Sequence, residues 1–102
     1  MTLQKYILDA AGQPQPMDDI LTWAQWMGTG DNKIVRRDDV GPYRVVTTFL
    51  GMDQYPHEGD DPFLWDTMVY GGKFDRECER YASKADTEAG HARMVQRVRD
   101  GS

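Results

Sequence analysis

Tyr43-Arg44-Val45-Val46-Thr47-Thr48-Phe49-Leu50 is the stretch that decides the fold. Successive side chains of a strand point to opposite faces, so Tyr43, Val45, Thr47 and Phe49 share one side and Arg44, Val46, Thr48 and Leu50 the other. Both sides turn apolar toward the C-terminal end, which predicts a central strand of a sheet. Upstream, Lys33-Ile-Val-Arg-Arg37 reads as a second strand, joined to it as a hairpin by the turn-rich Asp38-Asp39-Val40-Gly41-Pro42. Downstream, Phe63 to Tyr70 reads as a strand bounded by Pro62 and Gly71-Gly72. A further strand runs from Cys78 to Ala82 after the Lys73-Phe74-Asp75 turn. Strands that follow one another through turns predict an antiparallel meander.

The flanks supply the rest. Residues 3–8, Leu-Gln-Lys-Tyr-Ile-Leu, read as a short strand, and Asp9-Ala-Ala-Gly12 with Pro14 and Pro16 breaks regular structure after it. Met17 to Met27 reads as a helix, with Pro16 at its first position and Asp18 and Asp19 in the first turn, where the helix dipole favours negative charge. Its apolar residues cover more than one narrow stripe, so Trp23 and Trp26 cannot both lie at the centre of one buried face. Ser83-Lys-Ala-Asp86 has the spacing of a capping box, and Thr87, His91, Met94, Val95 and Val98 recur at intervals of three and four behind it. Gly90 inside that helix costs about 1 kcal/mol relative to alanine and predicts close approach to another backbone. The expectation is one globular α+β domain over residues 1–102, an antiparallel sheet of four to five strands with two helices, in the order β-α-β-β-β-(β)-α.

Composition narrows the chemistry. The 102 residues carry 12 basic and 17 acidic side chains, a net charge of −5, with 39% hydrophobic and 28% charged residues. That balance suits a folded core and excludes a disordered chain, and no apolar run is long enough to span a bilayer. The N-terminal Met1-Thr-Leu-Gln-Lys5 lacks the apolar stretch of a secretory signal, so the cytoplasm is the expected location. Cys78 is a lone cysteine, flanked by Arg76, Glu77, Glu79 and Arg80, whose charges cancel and leave no route to a stabilised thiolate. The only histidines, His57 and His91, belong to no metal-ligand motif, and the acids Asp53, Glu58, Asp60 and Asp61 lack the spacing of a calcium loop, so no metal and no cofactor is expected. Gly28-x-Gly30 and Gly71-Gly72 are too short for phosphate-binding loops and read as turn glycines.

The segments Thr47-Thr-Phe-Leu-Gly-Met-Asp53, Asp66-Thr-Met-Val-Tyr-Gly-Gly72 and Glu79-Arg-Tyr-Ala-Ser-Lys-Ala-Asp-Thr-Glu-Ala-Gly-His91, in this order, resemble a family of small bacteriophage- and prophage-borne proteins. The likeness extends to Tyr6-Ile-Leu-Asp9 and Leu21-Thr-Trp-Ala-Gln-Trp26 and covers most of the chain. Where the family has a glutamate before the double glycine and a phenylalanine after the valine, this chain has Asp66 and Tyr70, exchanges within a class. The resemblance brings no activity or catalytic residue to these positions. It implies a phage or mobile-element accessory protein of the bacterial cytoplasm that binds a host or phage protein, with inhibition of a host defence system in the manner of an anti-CRISPR as one form.

The candidate site residues follow from charge and exposure. Residues 51–72 hold five acids, Asp53, Glu58, Asp60, Asp61 and Asp66, and no Lys or Arg. The loop Asp53-Gln-Tyr-Pro-His-Glu-Gly-Asp-Asp61 presents Tyr55 among carboxylates, which suits a partner with a basic patch. Trp23 and Trp26 are the second candidate contact, with homodimerisation as the simplest outcome. Lys33, Arg36, Arg37 and Arg44 make a small basic group beside Tyr43, but the net charge opposes a nucleic-acid backbone. The alternative is a small enzyme: Asp66, mid-strand among apolar neighbours, would need a partner such as Arg44 or His91, and Asp66 with His91 would form a carboxylate–imidazole pair for proton transfer.

Overall fold

The computed structural model describes residues 4–52 and 62–101. The chain runs β1 (Tyr6–Leu8), β2 (Pro14–Pro16), α1 (Ile20–Gly28), β3 (Ile34–Val40), β4 (Tyr43–Phe49), β5 (Trp65–Tyr70), β6 (Cys78–Tyr81) and α2 (Lys84–Gly101). The last four strands form one antiparallel sheet in the order β3-β4-β5-β6, so β4 is central and the α+β meander read from the sequence is the architecture. In β4, Tyr43, Val45, Thr47 and Phe49 are all buried beneath α2 or beside it, and on the other side Arg44 is exposed while Val46 is buried. Helix α2 crosses that first face and touches all four strands.

Two apolar clusters fill the layer between sheet and helix. Tyr43, Val45 and Val69 meet Met94 and Val98 of α2, while Phe49, Leu64, Trp65 and Tyr81 form a second group at the far end. Trp26 and Met27 of α1 and Tyr6 and Leu8 of β1 close over that second group. Phe49 is fully buried, worth about 1.5–3 kcal/mol of apolar transfer.

Four local expectations change. Pro14 and Pro16 do not end regular structure; they bracket β2, which pairs with β1 as a separate two-stranded ribbon. The ladder there uses Met17 N–H to Lys5 O (2.8 Å) and Asp9 N–H to Gln13 O (2.9 Å), so the missing proline donors are not needed. Asp19 is not in the first turn of α1 but caps it, its carboxylate accepting the backbone N–H of Leu21 and Thr22. The β3–β4 link is shorter than the sequence suggests, because strand pairing persists to Val40 opposite Tyr43 and leaves Gly41 and Pro42 as the turn. Gly41, at φ 57, supplies the positive φ that a two-residue hairpin turn demands. The neighbour that Gly90 admits is the Tyr81 ring and not a backbone: a Cβ there would lie 2.2 Å from ring atoms.

Candidate functional site

Between the two apolar clusters runs a polar chain that crosses the whole sheet. Thr47 and Thr67 are register partners on β4 and β5, with hydroxyl oxygens 2.5 Å apart. The Thr47 hydroxyl also lies 2.6 Å from Nδ1 of His91 on α2, and Nε2 of that ring lies 2.6 Å from Asp38 Oδ2 on β3. In the other direction Thr67 reaches the Tyr81 hydroxyl on β6, which donates to Glu79 Oε2 at 2.9 Å. Arg93 of α2 closes the end on Glu79 (3.3 Å). All four strands and α2 each contribute a member.

The electrostatics follow from this wiring. Thr47, Thr67 and His91 are at most 2% exposed, and each would cost about 1–3 kcal/mol if left unpaired. The hydroxyls of Thr47 and Thr67 can each donate or accept, so Thr47 is paired both with His91 Nδ1 and with Thr67. The hydrogen bond from His91, seconded by Arg36 at 3.0 Å, holds the Asp38 carboxyl below its ordinary range. Burial pushes the Tyr81 hydroxyl up to about 12, and the Glu79 carboxylate adds to the rise.

The order Thr47 hydroxyl, His91 imidazole, Asp38 carboxylate has the connectivity of a nucleophile, its base and an orienting acid. A cavity of about 320 Å³ lined by Val35, Arg36, Thr87 and Glu88 reaches the edges of Thr47 and His91. The Thr47 hydroxyl, however, is 1% exposed and held from two sides, by His91 and Thr67. That is the state of a structural strut, and the chain fastens α2 to the sheet where two apolar clusters would otherwise meet.

Asp66 does not join His91. Alternation along β5 turns Thr67 toward α2 and therefore Asp66 toward the opposite face, with the sheet between the two groups. Its neighbours are its register partner Arg80 and the Cys78 thiol, whose Sγ is 3.8 Å from Asp66 Oδ2. Burial raises Asp66 above the usual carboxylate range, and Arg80 opposes the rise. Arg44 is also not its partner, being tied to Asp39 at 3.0 Å. Burial, then the Asp66 charge, push the Cys78 thiol up, which keeps it protonated and a poor nucleophile. The sequence hides the actual partners of His91, because Asp38-Asp39-Val40-Gly41-Pro42 reads as a turn. Continuing β3 to Val40 puts Asp38 opposite Val45, on the same face as Thr47.

Two surfaces remain open. On α1, Trp23, Trp26 and Met27 turn inward: the Trp26 ring meets Phe49 edge-on at 5.8 Å, and Trp23 Nε1–H donates to the Gly51 carbonyl at 3.2 Å. Both indoles are half-buried anchors to the sheet, so the residues presented outward are Ile20 and Leu21, 60% and 73% exposed. The helical period carries that signal, since positions 23, 26 and 27 share a face that 21 does not. The second surface is the sheet face turned from α2, where Lys33, Arg37, Arg44 and Tyr70 surround a groove of about 980 Å³. Asp53, Tyr55, Glu58, Asp60 and Asp61 lie outside the described residues.

Among the described residues, no three His, Cys, Asp or Glu side chains are grouped to hold a metal ion, and no helix is long and apolar enough to cross a membrane. Comparison of the chain with protein-family models, curated proteins and solved structures finds no match.

Proposed function

We propose that the protein acts by binding another protein through the outer side of α1, as an accessory factor of a phage or mobile element that occludes a component of its host. A defence system such as CRISPR machinery is the target class that the resemblance to phage-borne proteins suggests. The observation that carries the reading is α1 itself. None of its nine residues is buried and none is charged, and its first turn shows Ile20 and Leu21 to solvent. Covering what remains exposed of each side chain contributes about 1–2 kcal/mol to an association.

The surroundings of α1 define the partner. Asp18 and Asp19 precede the helix and Asp31 follows it, all exposed. A second copy meeting the same patch about a two-fold axis would bring acids against acids. A foreign protein with an apolar depression rimmed by Lys or Arg would meet them favourably.

The test is the affinity of the host protein captured from a bacterial lysate and then purified, measured for the wild type and for Leu21→Lys and Ile20→Lys. Each substitution is expected to weaken binding about tenfold or more with the circular dichroism unchanged, and added salt should weaken the wild-type complex. Equal affinity in all three proteins would overturn the reading. So would a dimeric mass in light scattering that Leu21→Lys reduces to a monomer, since that assigns the patch to self-association.

A further inference from the structure

The sheet face turned away from α2 is built differently from α1. The groove on its β3–β4 side has an apolar floor of Ile34 and Val46, and Val46 is only 9% exposed although α2 lies on the other side of the sheet. Lys33 just before β3 and Arg37 within it border the groove, and among the described residues neither has a carboxylate partner. Arg44, by contrast, is held by Asp39 at 3.0 Å. Across the groove stands Tyr70, 47% exposed and the register partner of Arg44. The groove thus has two unlike sides, an aromatic ring on β5 and, on the β3 side, two cations without a carboxylate partner among the described residues, with Arg44 and its Asp39 carboxylate between them.

We propose that this groove binds a nucleoside polyphosphate, the base lying on Tyr70 beside Arg44 and the phosphates at Arg37 and Lys33. Arg37 stands two strand spacings across and two residues along from Tyr70, about 12 Å away, and Lys33 stands farther, so one ligand must combine a flat ring with a remote, dense negative charge. An acidic peptide supplies the charge and leaves the Tyr70 ring unmatched. A long nucleic acid would run beyond the groove into the field of a chain with net charge −5, which repels an extended phosphate backbone. A small nucleotide keeps its phosphates where the local charge is positive. Ring stacking on tyrosine and arginine is tolerant of base identity, so the phosphates set the class and the ring adds affinity.

Titration calorimetry of the full chain at physiological salt tests this with three probes: ATP, adenosine and inorganic tripolyphosphate. ATP is expected to bind saturably, and adenosine and tripolyphosphate each about tenfold more weakly. Arg37→Glu should weaken ATP about tenfold, with Arg37→Gln, a milder change, giving a smaller loss in the same direction. Tyr70→Ala should bring ATP down to the affinity of tripolyphosphate. Arg99→Glu, the same charge change on α2 beyond the sheet, should leave ATP binding as it is. Absence of saturation at millimolar ATP would overturn the proposal. So would equal binding of tripolyphosphate and ATP, or an Arg99→Glu effect as large as that of Arg37→Glu, since either reduces the attraction to diffuse charge.

Discussion

At the scale of single residues, the chain from Asp38 through His91, Thr47 and Thr67 determines how the core responds to change. Thr47→Val keeps the shape and removes the group that His91 Nδ1 meets, so it should cost about 1–3 kcal/mol in urea melts. Thr67→Val should cost less, because Thr47 keeps His91. The double variant should cost less than the sum of the two, the deficit measuring a coupling of about 0.5 kcal/mol or more. The two perturbed aspartates predict opposite pH behaviour. Asp38 is lowered in the folded protein by its His91 hydrogen bond, so its contribution is complete above the unfolded value of about 4 and fades as pH falls through the folded value. Asp38→Asn should flatten that acid limb of the stability curve. Asp66 is raised by burial, so the folded state holds its proton longer and stability falls as pH rises from the unfolded value through the folded one. Asp66→Asn should therefore raise the melting midpoint at pH 7 and leave it nearly unchanged at about pH 3, below both values. A lower midpoint at pH 7 would show that the contacts with Arg80 and Cys78 outweigh desolvation.

Among the elements, α2 is the one whose sequence and packing disagree most usefully. Its start is local chemistry: the Ser83 hydroxyl accepts the Asp86 N–H at 3.1 Å, and Ser83→Ala should cost about 1 kcal/mol. Its middle is governed by the sheet. Gly90→Ala improves intrinsic helix propensity by up to about 1 kcal/mol, but the new methyl would lie 2.2 Å from the Tyr81 ring, and overpacking of that kind costs about 1–3 kcal/mol. Denaturant melts should show the substitution destabilising the protein, whereas the same change in an isolated peptide of residues 83–101 should raise helicity. If both rise, Tyr81 moves aside more easily than its place in the chain of hydrogen bonds implies. Helix α1 shows the reverse situation. Its Asp19 cap is legible in the residues, yet its packing supports only one face, and Asp19→Ala should fray it.

For the whole molecule, the two open surfaces lie on different parts of the fold, one on α1 and one on the sheet face turned from α2, with no residue in common. Substitutions on them should act independently. Leu21→Lys should leave ATP affinity unchanged, and Arg37→Glu should leave partner affinity unchanged; cross-effects in both directions would show that the sites communicate through the core. The α+β class, the central place of β4, the order of the strands and the cap of α2 were legible in the residues, because they depend on alternation, turn chemistry and helical period, all of which act between near neighbours. The short β2 was not, because two prolines predict a break unless a partner strand leaves their missing donors unneeded. The partners of His91 were not either. Asp38 and His91 are 53 positions apart, and they meet only because β3 continues to Val40 and sets its register on β4. The same holds for the separation of Asp66 from His91, for the indoles that became anchors, and for Lys33 and Arg37 facing Tyr70 across a groove. Local sequence determines which residues share a face, but which face meets which is decided by strand register and by the side of the sheet that α2 covers, and both are properties of the folded chain alone.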